Sequence, residues 1–261
     1  MGALQDDPVA LRSPRMVRFF TGVMRRQMFG SFRAVRLLKP GLPDLPPHAP
    51  LVFYSNHPGW WDPAFFIVLC AELLPDHQGY GPMETAALER YGFMKRLGIF
   101  GVEPGTSAGA IRFLQVSEHL LSDPGRSLWL TAQGRFADPR ERPLELQTGL
   151  AHLMARLPNA VAIPLAIEYP FWSEKRPEAL AAIGTPLHDS ASDAEGWQKA
   201  LTAALETTQD RLCEAAIARD PALFEIILGG NRGVGGVYGA WSRLRDLVTG
   251  RRHNPDHLTE S

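Results

Sequence analysis

Between residues 11 and 38 apolar side chains recur at Met16, Phe20, Met24, Met28, Phe32, Val35 and Leu38. Steps of three and four residues keep to the helical period. The pattern predicts one amphipathic helix, or two broken near Gly30. Phe19, Val23, Phe29 and Leu37 widen its apolar side, while Arg18, Arg25, Arg26, Arg33 and Arg36 fall on other faces. Pro40-Gly41-Leu42-Pro43-Asp44-Leu45-Pro46-Pro47 then reads as a stiff linker. Beyond it, strand-like apolar runs stand at Leu51–Ser55, Ile99–Val102, 127–131 and 160–168, separated by helical periods around 63–74, 108–122 and 147–157. Residues 194–228 read as wholly helical, with Leu201, Leu205, Leu212, Ala216 and Ile217 inward. Short strands alternating with helices predict an α/β fold, a mainly parallel sheet with flanking helices. An N-terminal amphipathic helical segment precedes it, which divides the chain into residues 1–39 and 50–261.

Charge changes the reading of the first segment. The 261 residues carry 27 Lys and Arg against 28 Asp and Glu, which argues against a nucleic-acid partner. The balance is uneven, however. No acid stands between Asp7 and Asp44, whereas Arg12, Arg15, Arg18, Arg25, Arg26, Arg33, Arg36 and Lys39 do. A basic helix with aromatic and Met residues on one side suits an anionic membrane surface, and a helix packed on the domain with a solvated basic face fits the same pattern. The tail repeats the theme with Arg232, Arg243, Arg245, Arg251 and Arg252 around Val237, Tyr238, Trp241, Leu244, Leu247 and Val248. No run reaches the ~18–20 apolar residues of a membrane span, and the N-terminus resembles neither a signal nor a transit peptide. The expectation is a peripheral protein without a transmembrane helix. With 45% hydrophobic and 21% charged residues, disorder and fibrous classes are set aside. Cys70 and Cys213 sit in apolar helical patterns and form no disulfide framework.

Chemistry in such sheets gathers where strands end. Asn56-His57-Pro58-Gly59-Trp60-Trp61-Asp62 follows the first strand, and its Pro-Gly turn lets the Asp62 carboxylate meet one imidazole nitrogen of His57. A histidine held in this way is a general base for a hydroxyl. Asp62 before Pro63 also reads as a helix start. Trp60 and Trp61 either shield the site or line the entry of an acyl chain.

This block resembles the N-H-x-x-x-x-D motif of the glycerolipid acyltransferases, the family of 1-acylglycerol-3-phosphate acyltransferases. The resemblance implies that His57 is the base, that Asp62 orients it, and that a lipid hydroxyl attacks an acyl thioester directly. Further blocks follow in order. Gly98-Ile99-Phe100-Gly101-Val102-Glu103 looks like the second but has Glu103 where the family has arginine. Thr131-Ala132-Gln133-Gly134-Arg135-Phe136 is similar to the third with Gln133 in place of the acid, and Val161-Ala162-Ile163-Pro164-Leu165 is similar to the fourth. The implied donor is acyl-CoA or an acyl carrier protein thioester, with no cofactor and no metal. The implied acceptor is a lysophospholipid such as 1-acylglycerol-3-phosphate at the cytoplasmic side of a membrane. Asn56, Gln133, Gly134, Arg135, Arg112 and Arg140 are the candidate substrate-binding residues. Gln133 is expected to touch the acceptor head group, a backbone N–H near Gly134 to stabilise the oxyanion, and the arginines, with Arg142, to hold a phosphate.

A rival motif is Gly105-Thr106-Ser107-Ala108-Gly109, a match to G-x-S-x-G that would make Ser107 the nucleophile of a serine esterase or lipase. The interrupting Glu103-Pro104 and the absence of an HGGG-like run favour Ser107 at a helix start instead. The glycine cluster between Gly229 and Gly239 does not complete a dinucleotide fingerprint and reads as a loop. The eight histidines show no metal-ligand spacing.

Overall fold

Strands of four to eight residues pair into one eight-stranded sheet. The computed structural model describes residues 6–46 and 48–229. The described chain runs α1 (Pro8–Leu11), α2 (Pro14–Ser31), β1 (Ala34–Leu38), β2 (Leu51–Ser55), α3 (Asp62–Leu73), β3 (Gln78–Glu84) and α4 (Thr85–Arg90). A 3-10 turn (Gly92–Leu97) leads to β4 (Ile99–Val102), α5 (Ser107–Leu120), β5 (Arg126–Thr131), α6 (Gly149–Arg156), β6 (Val161–Glu168) and β7 (Ala179–Ile183). The long α7 (Ala194–Ala218) and a short 3-10 turn (Pro221–Leu223) precede β8 (Phe224–Gly229). The strand order is β4-β3-β5-β2-β6-β7-β1-β8. The first five strands are mutually parallel, β7 runs antiparallel to β6, β1 parallel to β7 and β8 antiparallel to β1. The fold is therefore α/β with a mostly parallel, mixed sheet, as the alternation of strands and helices predicts.

Alternate residues of a strand face opposite sides, and β2 shows both. Val52 and Tyr54 join Val116, Leu120, Leu153, Leu201 and Leu205 on the α5, α6 and α7 side. Leu51 and Phe53 join Met28, Phe32, Phe65, Val68 and Leu69 on the α2 and α3 side. A central strand buried on both faces reads as a continuous apolar run, which is why β2 is legible as 51–55. Because β2, β5 and β6 are parallel neighbours, their carboxyl ends at Ser55, Thr131 and Glu168 share one edge of the sheet. The loops that leave that edge build the site.

Two helical expectations give way to strands. The helix drawn from Met16 to Leu38 ends at Ser31, and Ala34–Leu38 is β1, every residue buried. Arg36 breaks no rule there: its Nε donates to Glu178 Oε2 at 2.9 Å, and its guanidinium lies over the Trp172 ring. The segment of residues 1–39 thus contributes a strand to the sheet of residues 50–229. Likewise the helix over 194–228 stops at Ala218, and Phe224–Gly229 pairs antiparallel with β1. The sequence reading also passes over β3, whose Gly79, Gly81 and Pro82 dilute the strand signal, and β7, whose alanines favour helix. Among the described residues no helix is long and apolar enough to cross a membrane. The basic tail from Arg232 to Arg252 and the glycines beyond Gly229 lie outside the described residues.

Candidate active site

Beyond Ser55 the chain turns through Pro58-Gly59 and enters α3 at Asp62. The cap position of α3 is Trp61, without a side-chain cap bond, so the Asp62 carboxylate is not spent on capping its own helix. It is fully buried, and its two oxygens accept from three other groups. His57 Nδ1 lies 2.5 Å from Asp62 Oδ2; next to a carboxylate that nitrogen is the donor. The Gly59 N–H donates to the same oxygen at 3.3 Å, and the Tyr169 hydroxyl donates to Oδ1 at 2.7 Å. The Nε2 of His57 meets no hydrogen-bond partner among the described residues, and a lone pair there is free to take a proton. This is an oriented base.

Tyr169 was not anticipated. It directly follows β6, the parallel neighbour of β2, and the only signal was an aromatic hydroxyl one residue past a strand end. Burial first, then the Asp62 charge and the hydrogen bond to it, push the phenol well above its ordinary range. It therefore stays an O–H donor at every pH at which the site works. Phe32 packs on both Tyr169 and Trp61, at 5.4 and 5.2 Å between ring centroids, so α2 braces the dyad from outside.

The other expected residues divide into scaffold and rim. Asn56 is fully buried: its Nδ2 donates to Ile167 O and its Oδ1 accepts from Ile167 N, both at 2.9 Å, which ties the end of β2 to β6. Gln133 is 3% exposed, and its Oε1 accepts from the His57 N–H at 3.0 Å. The expected head-group contact thus gives way to a role beneath the His57 turn, whose backbone Gln133 holds. Gly134 adopts φ +66 and its N–H donates to Thr131 O at 3.2 Å; that donor is committed to the turn. The N–H groups of Arg135 and Phe136 donate to no described backbone or side-chain acceptor and take its place as oxyanion candidates. Phe136, 61% exposed, sets its ring 4.4 Å from the His57 ring, and Trp60, 79% exposed, stands three residues along the same turn with its ring against Trp61. Trp60 therefore rims the site and does not shield it from within the core.

Each rim arginine already has an acid. Arg135 pairs with Glu141, Arg140 holds Asp138 through two bonds of 2.8 and 2.7 Å, and Arg142 reaches Asp210 at 2.6 Å. Arg112 is not with them. Its Nε donates to Gly101 O at 2.8 Å, and it lines a cavity of about 340 Å³ with Asp6, Lys95 and Glu103 beside β4.

Ser107 is on that same distant side. The edge strand β4 lies three strands from β2, roughly 14 Å at ~4.8 Å per strand. Thr106 caps α5 by accepting from the Gly109 N–H at 3.0 Å, and Ser107 is the exposed first residue of the helix, without the positive φ of a strained turn. The second glycine of the pentapeptide has a packing reason: a Cβ on Gly109 would sit 1.9 Å from Glu103 O. Ser107→Ala should leave activity and stability unchanged, whereas Gly109→Ala should lose about 1–3 kcal/mol by overpacking. Thermal unfolding of the two variants checks this. Loss of activity in Ser107→Ala with its fold intact would contradict it.

Neither cysteine is an activated thiol. Burial raises Cys70 to about 11, and burial with the nearby Glu168 and Asp210 charges also raises Cys213. Among the described residues no group of His, Cys, Asp and Glu could hold a metal ion. No protein-family model matches the chain, and no curated protein matches it.

Proposed function

We propose that this chain is an acyltransferase that moves a fatty acyl group from a coenzyme A or acyl carrier protein thioester to a lipid hydroxyl, a lysophospholipid hydroxyl in the first instance. The observation that carries the reading is the Tyr169–Asp62–His57 relay around a buried carboxylate, with an outward imidazole nitrogen and, among the described residues, no activated serine or cysteine beside it. A thioester brings its own leaving group, so the protein needs to supply a base, an oxyanion donor and positioning. His57 Nε2 takes the proton of the acceptor hydroxyl as its oxygen attacks the thioester carbonyl. The negative charge on the carbonyl oxygen falls to the N–H groups of Arg135 and Phe136. The C–S bond then breaks, and the imidazolium returns the proton to the departing sulfur. The positive imidazolium formed midway is stabilised by Asp62, whose charge Tyr169 and Gly59 share. The test is incubation of purified protein with labelled acyl thioester and a panel of hydroxylated lipids, with products identified by mass. Release of free fatty acid with no acylated lipid would overturn the reading.

A peripheral location at the cytoplasmic side of a membrane belongs to the same proposal, and the structure alters its basis. The stripe Phe20, Met24, Met28 and Phe32 packs on the domain, Phe20 stacking on Phe93 at 4.8 Å. Arg33 and Arg36 are buried, and Arg25 pairs with Glu72. What α2 leaves in solvent is Arg15, Arg18, Phe19, Arg26 and Phe29, a smaller basic face than the sequence suggests. At about 1 kcal/mol per cation near an anionic surface, changing Arg15, Arg18 and Arg26 together to Gln should weaken partition onto anionic vesicles by roughly 100-fold. Salt should release the wild type. Failure to co-sediment at any ionic strength would remove the membrane from the account.

A further inference from the structure

The three segments that meet at His57 and Asp62 hold no excess of positive charge. Residues 132–146 set Arg135, Arg140 and Arg142 against Asp138, Glu141 and Glu145. The pairing is realised in space: Arg135 is on Glu141 with Glu145 Oε2 3.9 Å away, Arg140 is bidentate on Asp138, and Arg142 is on Asp210. The grip of Arg140 holds the Asp138 carboxyl down at about 2, so its charge persists at any working pH. Residues 168–178 add Glu168 and Glu174 against Lys175 and Arg176, with Glu178 taken up by Arg36, and residues 56–62 add Asp62 alone. Farther along the same edge, Glu84 ends β3 and Glu103 follows β4, both exposed.

Exposed pairs of this kind are worth about 0–1 kcal/mol, so an arriving phosphate would displace Glu141 from Arg135 at little cost. The local field is therefore what discriminates. A phosphate monoester carries roughly −1.5 to −2 charges, and charges within a Debye length of about 8–10 Å act on it together. It would meet arginines already neutralised by neighbouring acids, with half-buried Glu168 near Arg140 and Arg142 and the Asp62 charge behind His57. A neutral or zwitterionic head group encounters no such repulsion.

We infer that the acceptor is a hydroxyl-bearing lipid whose head group carries no net negative charge. This rests on the acyl-transfer reading above, and the experiment separates the two. Wild type and Glu141→Gln are each given one acyl thioester in neutral micelles with a single acceptor at a time: 1-acylglycerol-3-phosphate, lysophosphatidylcholine or monoacylglycerol. Products are quantified by mass. The expected result is at least tenfold higher kcat/KM with the zwitterionic or neutral acceptor, and a smaller ratio in Glu141→Gln because Arg135 is released. Equal or better use of the phosphate monoester by wild type overturns the inference and leaves acyl transfer standing. Acylation of none of the three overturns acyl transfer, and the inference with it.

Discussion

If the proposed acyl transfer is the reaction, His57→Ala should abolish it and Asp62→Asn should leave a folded protein slowed by ~10²–10⁴. The first follows because the proposed reaction takes the acceptor's proton on His57 Nε2. The second follows from the donors around Asp62. A carboxylate accepts from the His57 Nδ1–H, the Gly59 N–H and the Tyr169 O–H together. An amide of the same shape turns an NH₂ group toward one of these donors. If it faces Nδ1, the imidazole must carry its proton on Nε2, the nitrogen that has to accept one. Removing the charge also leaves the imidazolium uncompensated in a site where Asp62 is 0% exposed. Tyr169→Phe removes one of the three donors and keeps the ring that packs on Phe32. As a positioning residue it should lower kcat about tenfold with KM nearly unchanged, since the hydroxyl touches Asp62 and not substrate. A normal kcat in Tyr169→Phe, or residual turnover above 10% in Asp62→Asn, would break the relay as described.

Arg36→Ala should destabilise the fold by about 3–5 kcal/mol, the cost of leaving a buried charge unpaired. Glu178 is fully buried, and Arg36 is 3% exposed. Burial pushes the Glu178 carboxyl upward, while Arg36, with help from Arg33, pulls it down. Without Arg36 the upward push is less opposed, so folded Glu178 holds a proton at mildly acid pH where the unfolded chain has released its own. Stability then falls as pH rises. The loss measured by chemical unfolding should therefore be larger at pH 8 than at pH 5. The pair Arg36→Met with Glu178→Leu should recover most of it, since apolar replacement of a buried ion pair is often neutral. A surface arginine, which is what a helical reading of residues 34–38 would make of Arg36, predicts a change within ~0.5 kcal/mol at either pH.

That arginine shows where sequence pattern stops being legible. The strands whose ends build the site, β2, β5 and β6, are visible as 51–55, 127–131 and 160–168 because central strands buried on both faces are uninterrupted apolar runs. β1 is not, since Val35 and Leu38 prolong the period of α2 and a charge at position 36 looks solvated until Glu178, 142 residues away, is seen beside it. The His57 and Asp62 pair is legible because its two members are five residues apart on one turn. The burial of Gln133 and the Tyr169 hydroxyl are not, because each depends on a parallel neighbour of β2 that only the sheet brings alongside. Arg135 and Arg140 are legible as cations near the site, but their pairing with Glu141 and Asp138 is a matter of loop conformation. Charge at a site is a sum over neighbours, and the sequence orders those neighbours without placing them.

The central claim is direct transfer by a histidine base with no acyl-enzyme. It is tested by following labelled acyl thioester with purified protein, with and without a lipid acceptor, while the intact mass of the protein is recorded during turnover. The account predicts release of free thiol matched mole for mole by acylated lipid, dependence on both acceptor and His57, and an unmodified protein mass throughout. Accumulation of protein heavier by one acyl group, with the label on Ser107 or a cysteine, would contradict it.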